Sequence, residues 1–147
     1  MRSIWNSVPA LMESLVDHAA TLPGVDLSSL RLILLSGDWI PVSLPERIRR
    51  LLPTVELVSL GGATEASIWS NFFEVRRIEP HWRSIPYGWP LANQRFHVLD
   101  DLGEHAPEGV PGRLHIAGAG LARGYWNDAL RTAERFAIEK SQPMTWL

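Results

Sequence analysis

Cysteine is absent from all 147 residues. That excludes a disulfide framework, a thiolate metal site and a thiol nucleophile. Long apolar runs are missing as well, and no stretch approaches the roughly 20 residues that a membrane-spanning helix needs. No basic segment followed by an apolar core stands at the N-terminus, so no signal peptide is expected and the cytoplasm is the expected location. Charge of neither sign dominates. A formal net charge of −2 points to no nucleic acid and no membrane surface as a partner. The five histidines, His18, His81, His97, His105 and His115, show no metal-ligand spacing. Internal repeats and low-complexity segments are also missing.

What is present suits a soluble domain with a real core: 46% of the residues are hydrophobic. Seven tryptophans are scattered through the chain, and most are expected to serve in packing.

In chain order, residues 6–20 read as a helix, with Ser7 as its cap, Pro9 in its first turn and Leu11, Leu15, Val16 and Ala19 at helical spacing. Residues 30–35 form an almost unbroken apolar run, as in a buried strand of a parallel sheet. Residues 43–52 have a capping serine, an early proline and one apolar side, which reads as an amphipathic crossover helix. Residues 55–60 read as a second buried strand, completing a βαβ unit. Beyond residue 71 the texture changes. Short strands are expected at 68–75, 95–99 and 113–117, with turns at 100–103 and 108–112, and a closing helix at 128–138 capped by Asp128. The fold class is therefore α/β: a βαβ part of a parallel sheet with flanking helices, followed by a small antiparallel sheet or distorted barrel.

The chemically suggestive stretch is SLGGATEASIWSN, residues 59–71. Gly61 and Gly62 end a strand with no side chain to block approach to the backbone. Thr64 and Glu65 then place a hydroxyl and a carboxylate just past the strand end, where ligands bind in open α/β sheets. A hydroxyl suits a phosphate oxygen and a carboxylate suits magnesium. An ordinary strand-to-loop turn with a surface glutamate fits the same residues. A second glycine-rich stretch, GAGLARG at 118–124, follows a strand as a dinucleotide fingerprint would, but its spacing is G-x-G-x-x-x-G and no amphipathic helix follows directly, which favours a structural loop. Close backbone approach explains its glycines, and Arg123 is a candidate for either a phosphate contact or a structural ion pair.

Taken together, these segments resemble the adenylation domain of nonribosomal peptide synthetases, within the AMP-forming acyl-adenylating enzymes. SLGGATEASIW is similar to that family's Y-G-P-T-E core. IPYGWPLAN at 85–93 is similar to its I-P-I-G-x-P segment. GRLHIAGAGLARGY at 112–125 is similar to G-E-L-x-I-x-G-x-G-L-A-R-G-Y, and TAERF at 132–136 to T-x-x-R-F. The resemblance covers essentially the whole chain. It implies an ATP/AMP site at Gly61, Gly62, Ala63, Thr64 and Glu65, with Thr64 on the adenylate phosphate and Glu65 on Mg2+. The chain departs from the pattern where Gly61 replaces the usual adenine-stacking tyrosine, where Ala63 replaces proline, and where Arg113 replaces glutamate. The resemblance also implies a substrate pocket lined by Asn6, Leu34, Ser36, Leu60, Ile68 and Trp69. That set is similar to the one in cysteine-activating domains of thiazoline-forming siderophore synthetases.

The expected reaction of the parent enzyme is formation of an aminoacyl-adenylate from ATP and an amino acid, cysteine by this resemblance. Transfer to the phosphopantetheine thiol of a peptidyl carrier domain would follow. An acyl-CoA or aryl-acid ligase of the same superfamily, or a non-catalytic truncated remnant, is the alternative. The family's phosphate loop and the aspartate that pairs with the substrate amine would lie before Met1. Its ribose-binding T-G-D segment and catalytic lysine would lie after Leu147. Lys140 is the only lysine here and matches no such motif. The 147 residues are thus expected to be a partial adenylation domain, inactive in isolation. Residues 1–75 would be the α/β part with the pocket and the magnesium/ATP motif, and residues 76–147 the β-rich part.

Overall fold

A computed structural model describes residues 2–22, 24–139 and 142–146, with only the backbone course described at 137–139, 142, 143 and 146. Lys140 and the side chain of Trp146 lie outside that set. The chain divides into two compact units, one of residues 1–60 and 72–88, the other of residues 61–71 and 89–147.

The first unit is built on three parallel strands, β1 (Ser3–Ser7), β2 (Leu30–Leu35) and β3 (Glu56–Gly61), which lie side by side in that order. β4 (Asn71–Glu74) follows β3 in the same sheet. β1 pairs parallel with β2, Trp5 opposite Ile33 and Asn6 opposite Leu34. β2 pairs parallel with β3, Ile33 opposite Leu57 and Leu34 opposite Val58. Strand alternation then sorts the side chains into two faces. One face carries Ile33, Leu35 and Leu57, which pack with Met12 and Val16 of α1 (Pro9–Thr21) and Leu44 and Ile48 of α2 (Leu44–Leu51) into one core. Parallel neighbours need such a helical crossover, and α2 supplies it between β2 and β3. The helices are also clamped at the surface, where Arg47 pairs with Glu13 at 3.3 Å and with Asp17. Exposed pairs of this kind contribute only about 0.2–1 kcal/mol each.

The parallel βαβ unit stands as the apolar runs predict, but the first helix does not. Residues 3–7 form β1, and α1 starts at Pro9 with Val8 as its cap and no side-chain capping bond. Ser7 is a strand residue whose hydroxyl instead accepts from Trp5 Nε1 at 2.7 Å. The buried stripe of α1 is Pro9, Met12 and Val16, whereas Leu11 is 58% exposed. Strand pairing to β2 outweighs the capping pattern here.

The second unit holds an open antiparallel sheet of order β6-β7-β9-β8, after the two-residue strand β5 (Trp89–Pro90). β6 (Gln94–Leu99) pairs with β7 (Arg113–Gly118) from Gln94 opposite Gly118 to Leu99 opposite Arg113. β8 (Phe136–Glu139) and β9 (Gln142–Trp146) complete the sheet, with Leu99, Ala117 and Met144 in its core. The turn after β6 is held by Asp100, whose Oδ1 accepts from the amides of Leu102 and Glu104, both at 2.9 Å.

The closing helix is shorter than its sequence pattern. α3 (Ala129–Arg135) begins at Asp128, whose side chain accepts from the Arg131 amide as expected. It stops at Arg135 because Phe136, Ala137 and Ile138 pair with Thr145, Met144 and Pro143. The helix buries no side chain, and Leu130 is 83% exposed, so nothing in its packing resists that ladder. Tryptophan also departs from expectation. Trp39, Trp89 and Trp126 are exposed, and Trp5, Trp69 and Trp82 are half-buried. Among the described residues no tryptophan lies fully in a core, and no helix is long and apolar enough to cross a membrane.

Candidate nucleotide and substrate site

In the first unit, the four expected pocket residues share one face. Asn6 and Leu34 are register partners, Ser36 follows two residues after Leu34, and Leu60 lies just past the Leu35–Ser59 pair. Alternation puts all four on the face opposite the α1/α2 core, at the carboxyl ends of three adjacent parallel strands. Leu34, Ser36 and Leu60 are half-buried and Asn6 is exposed. Two short polar groups and two leucines on one face offer both a hydrogen bond and apolar contact.

The second unit holds Gly61, Gly62, Ala63, Thr64, Glu65, Ile68 and Trp69. The chain leaves β3 and turns sharply, with the Ser70 amide donating back to the Gly61 carbonyl at 2.7 Å. Gly62 is required by this turn. Its φ is +150°, and a Cβ there would stand 2.5 Å from the Ile68 carbonyl oxygen and 2.7 Å from the Ser70 nitrogen. Ala63 then caps a single 3-10 turn, Thr64–Ala66. Thr64 is exposed and Glu65 half-buried. The turn is closed by the fully buried Ser70, whose hydroxyl donates to the Ala66 carbonyl at 3.0 Å.

Ser67 and Ile68 follow with φ of 61° and 68°. Two consecutive left-handed residues without glycine are uncommon, and a β-branched one is strained by roughly 1–2 kcal/mol. Ile68 is 68% exposed, so no packing around its side chain explains the conformation. The turn is instead tied down through Ser67, whose hydroxyl donates to the Gly120 carbonyl at 2.7 Å.

Glu65 is held at both ends by residues of the 112–125 segment. Its carbonyl accepts from the Ala122 amide at 2.7 Å, and its Oε1 accepts from the Tyr125 hydroxyl. Tyr125 is fixed in turn. Its amide donates to Thr132 Oγ1 at 2.9 Å, its ring lies edge-on to Phe136, and the Arg131 guanidinium sits 4.5 Å above the ring centre. The Tyr125 hydroxyl above all, with lesser help from the backbone and from Arg135 and Arg131, holds the Glu65 carboxyl below the usual carboxylate range against the opposing effect of burial. Reading the residues one by one does not single out Tyr125, Arg131, Thr132 or Ser67. Ser67, Tyr125 and Thr132 stand inside the family-like segments, and that is the only signal in the sequence that marks them.

The donor set fits magnesium held jointly with a nucleotide. Among the described residues no group of three or more His, Asp or Glu side chains can cage a metal. Mg2+ is commonly bound by one or two carboxylates plus substrate phosphates and water, and the ionised Glu65 beside the exposed Thr64 meets that need.

The same contacts make an alkaline prediction. The chain has two tyrosines. Burial pushes the Tyr87 phenol up to about 12, and the bond to Glu65, with burial and the Glu65 charge, also raises Tyr125. Both folded values lie above the unfolded value of about 10. Their contribution to stability is therefore fully present below pH ~10 and is lost as pH rises through the folded values. Phenolate absorbance during a base titration should show no step at pH ~10 while the chain remains folded. A step at pH ~10 that Tyr125→Phe removes would disprove the Tyr125–Glu65 contact.

The family-model comparison matches residues 2–126 to the AMP-binding enzymes, and the chain belongs to that family. It is 52% identical over 137 residues to pyochelin synthetase PchE of Pseudomonas aeruginosa, covering 91% of this chain and 9% of that one. It is 48% identical over 134 residues to the anguibactin system regulator of Vibrio anguillarum, covering 91% of this chain and 13% of that one. Among solved structures, the nonribosomal peptide synthetase FmoA3 superposes with a TM-score of 0.93 at 41% identity, over 98% of this chain and 16% of that one. FmoA3 has also been solved with AMPPNP and with α-methyl-L-serine-AMP. The chain is thus a stretch of a nonribosomal peptide synthetase adenylation domain, spanning only a small part of the relatives it matches.

Proposed function

We propose that these residues serve the adenylation of an amino acid, cysteine, by a nonribosomal peptide synthetase. In the complete domain the amino-acid carboxylate attacks the α-phosphorus of ATP, the bond to the β-phosphate oxygen breaks, and pyrophosphate leaves. A phosphopantetheine thiol on a carrier domain then takes the acyl group, and AMP leaves. The whole of residues 1–147 is read as part of that domain, with the glycine turn and Glu65 on the nucleotide and Asn6, Leu34, Ser36, Leu60, Ile68 and Trp69 on the amino acid.

One observation carries the reading. The two segments most similar to the family's motifs, far apart in sequence, are hydrogen-bonded to each other through Ala122–Glu65, Ser67–Gly120 and Tyr125–Glu65. Thr64 offers a hydroxyl to a phosphate, and Glu65 would hold Mg2+. Magnesium, when bound, supplies neutralisation of charge on the phosphate oxygens. For the substrate, Asn6 and Ser36 supply short polar groups toward a thiol, while Leu34, Leu60, Ile68 and Trp69 supply apolar contact and limit size.

The test is pyrophosphate exchange by a complete adenylation domain carrying these 147 residues, against a panel of amino acids. Cysteine should be the best substrate. Serine and alanine should be slower by roughly 10–200-fold, the range that a small group commands in an apolar pocket. Phenylalanine should fail, and Trp69→Ala should admit larger side chains. A panel in which cysteine is not preferred would reject the pocket assignment.

A further inference from the structure

We propose that Tyr125 is a positioning residue for the metal site: its phenol O–H holds one oxygen of the Glu65 carboxylate, so that the other is presented to a divalent cation bound together with the nucleotide phosphates. The inference rests on the assignment of Glu65 as a metal ligand made above, and adds the group that orients it.

The geometry supports this in several independent ways. Glu65 lies in a single 3-10 turn, too short to fix a three-carbon side chain by packing alone. A carboxylate accepts at two oxygens, and Tyr125 takes only Oε1. The tyrosine is itself held more firmly than the glutamate. Thr132 Oγ1 accepts from its amide and donates to the Asp128 carbonyl at 2.7 Å, tying Tyr125 to the first turn of α3. Phe136 meets the ring edge-on, at 6.0 Å between centres. The Arg131 cation sits over its face in a cation–π contact, 4.5 Å from the ring centre, and it lies near enough to the carboxylate to act on its charge. The orienting force thus passes from α3 to Tyr125 and then to Glu65. Hydrogen-bond partners of metal-binding carboxylates typically govern metal affinity by about 10–100-fold.

Tyr125→Phe tests this while keeping the ring under Arg131 and beside Phe136. The probe is Mn2+ binding to a complete adenylation domain in the presence of AMPPNP, read by electron paramagnetic resonance, with the Mg2+ dependence of pyrophosphate exchange measured alongside. A thermal melt of each variant confirms folding. Tyr125→Phe should weaken Mn2+ binding about 10-fold and raise the Mg2+ concentration for half-maximal exchange by a similar factor. It should leave the amino-acid KM unchanged, and the rate should recover at high Mg2+. The double variant with Glu65→Gln should bind Mn2+ no more weakly than Glu65→Gln alone, because the tyrosine acts only through that carboxylate.

If Glu65→Gln weakens Mn2+ binding and Tyr125→Phe does not, the positioning role is overturned and the ligand assignment stands. If Glu65→Gln itself leaves Mn2+ binding unchanged, the ligand assignment fails and the positioning role with it. Should Tyr125→Phe lower the melting temperature, Thr132→Val provides a second probe. It removes the hydroxyl that ties Tyr125 to Asp128 without changing any charge near the site, and should shift Mn2+ affinity in the same direction by a smaller factor. An unchanged affinity in both variants rejects the proposal.

Discussion

Glu65→Gln is expected to depress adenylation of every amino acid by on the order of 100-fold, without changing their ranking. The magnitude is that of losing one metal-orienting or charge-stabilising group in a preorganised site. The substitution is nearly isosteric, and the amide oxygen can still accept from the Tyr125 hydroxyl. Folding is therefore little disturbed, and what disappears is the negative charge. In the native protein Tyr125 above all, with the backbone and the two arginines, holds the carboxyl below the usual carboxylate range and so favours that charge. A nucleotide site is common to all amino-acid substrates, so its loss scales their rates together. The measurement is the exchange rate across the amino-acid panel at fixed Mg2+, with and without the substitution. Altered preference at an unaltered overall rate would place Glu65 at the amino acid and remove it from the metal.

Gly118→Ala is expected to destabilise the second unit by roughly 3 kcal/mol or more, combining the cost of an unsuitable backbone conformation with that of forced overlap. Gly118 closes β7 opposite Gln94 with φ +122°. A Cβ there would stand 2.1 Å from the Asn93 carbonyl oxygen and 2.9 Å from the Gln94 Cα. Those are backbone atoms, and the same Asn93 carbonyl also accepts from the Ala119 amide at 2.9 Å, so neither strand can yield without breaking the crossing. A small domain has only about 5–15 kcal/mol of stability in total. Gly109→Ala is the control: φ is +81° but nothing lies within 4 Å, so it should cost only roughly 1 kcal/mol. Urea denaturation of the three proteins separates the two terms. Equal losses in both variants would show that the close approach at Gly118 carries no energetic weight.

The parts of the fold that could be read from the sequence are those in which local pattern and tertiary partner agree. The run at 30–35 is apolar without interruption except Arg31, and it became a strand with Ile33 and Leu35 fully buried. Ile48 falls on the buried side of α2 as the periodicity requires, whereas Leu51, expected on the same side, is exposed at the helix end. β1 was hidden because Ser3 to Ser7 alternates weakly and its serines mimic a helix cap; only pairing to Leu32–Leu35 makes it a strand. The end of α3 was hidden for the same reason, since its β-partner lies beyond it in the chain.

At the candidate site, Gly61 to Glu65 stand out in the sequence because their chemistry is compact there. The contact that fixes Glu65 comes from a residue 60 positions away, and no local spacing encodes it. The tryptophans misled for a different reason: their size favours burial on average, but Trp126 at 91% exposure follows a loop rather than a core.

The left-handed pair at Ser67 and Ile68 ties selectivity to foldability. Position 68 belongs to the substrate wall we propose, yet its backbone is one that asparagine, aspartate and glycine adopt with least resistance. Any search for new substrate preference that randomises this codon would first be sorted by the turn. Polar, compact residues would enrich through expression alone, whatever they do to the amino acid. Isoleucine at that position is thus kept against the grain of the backbone, and a library there should be scored for yield and for preference separately.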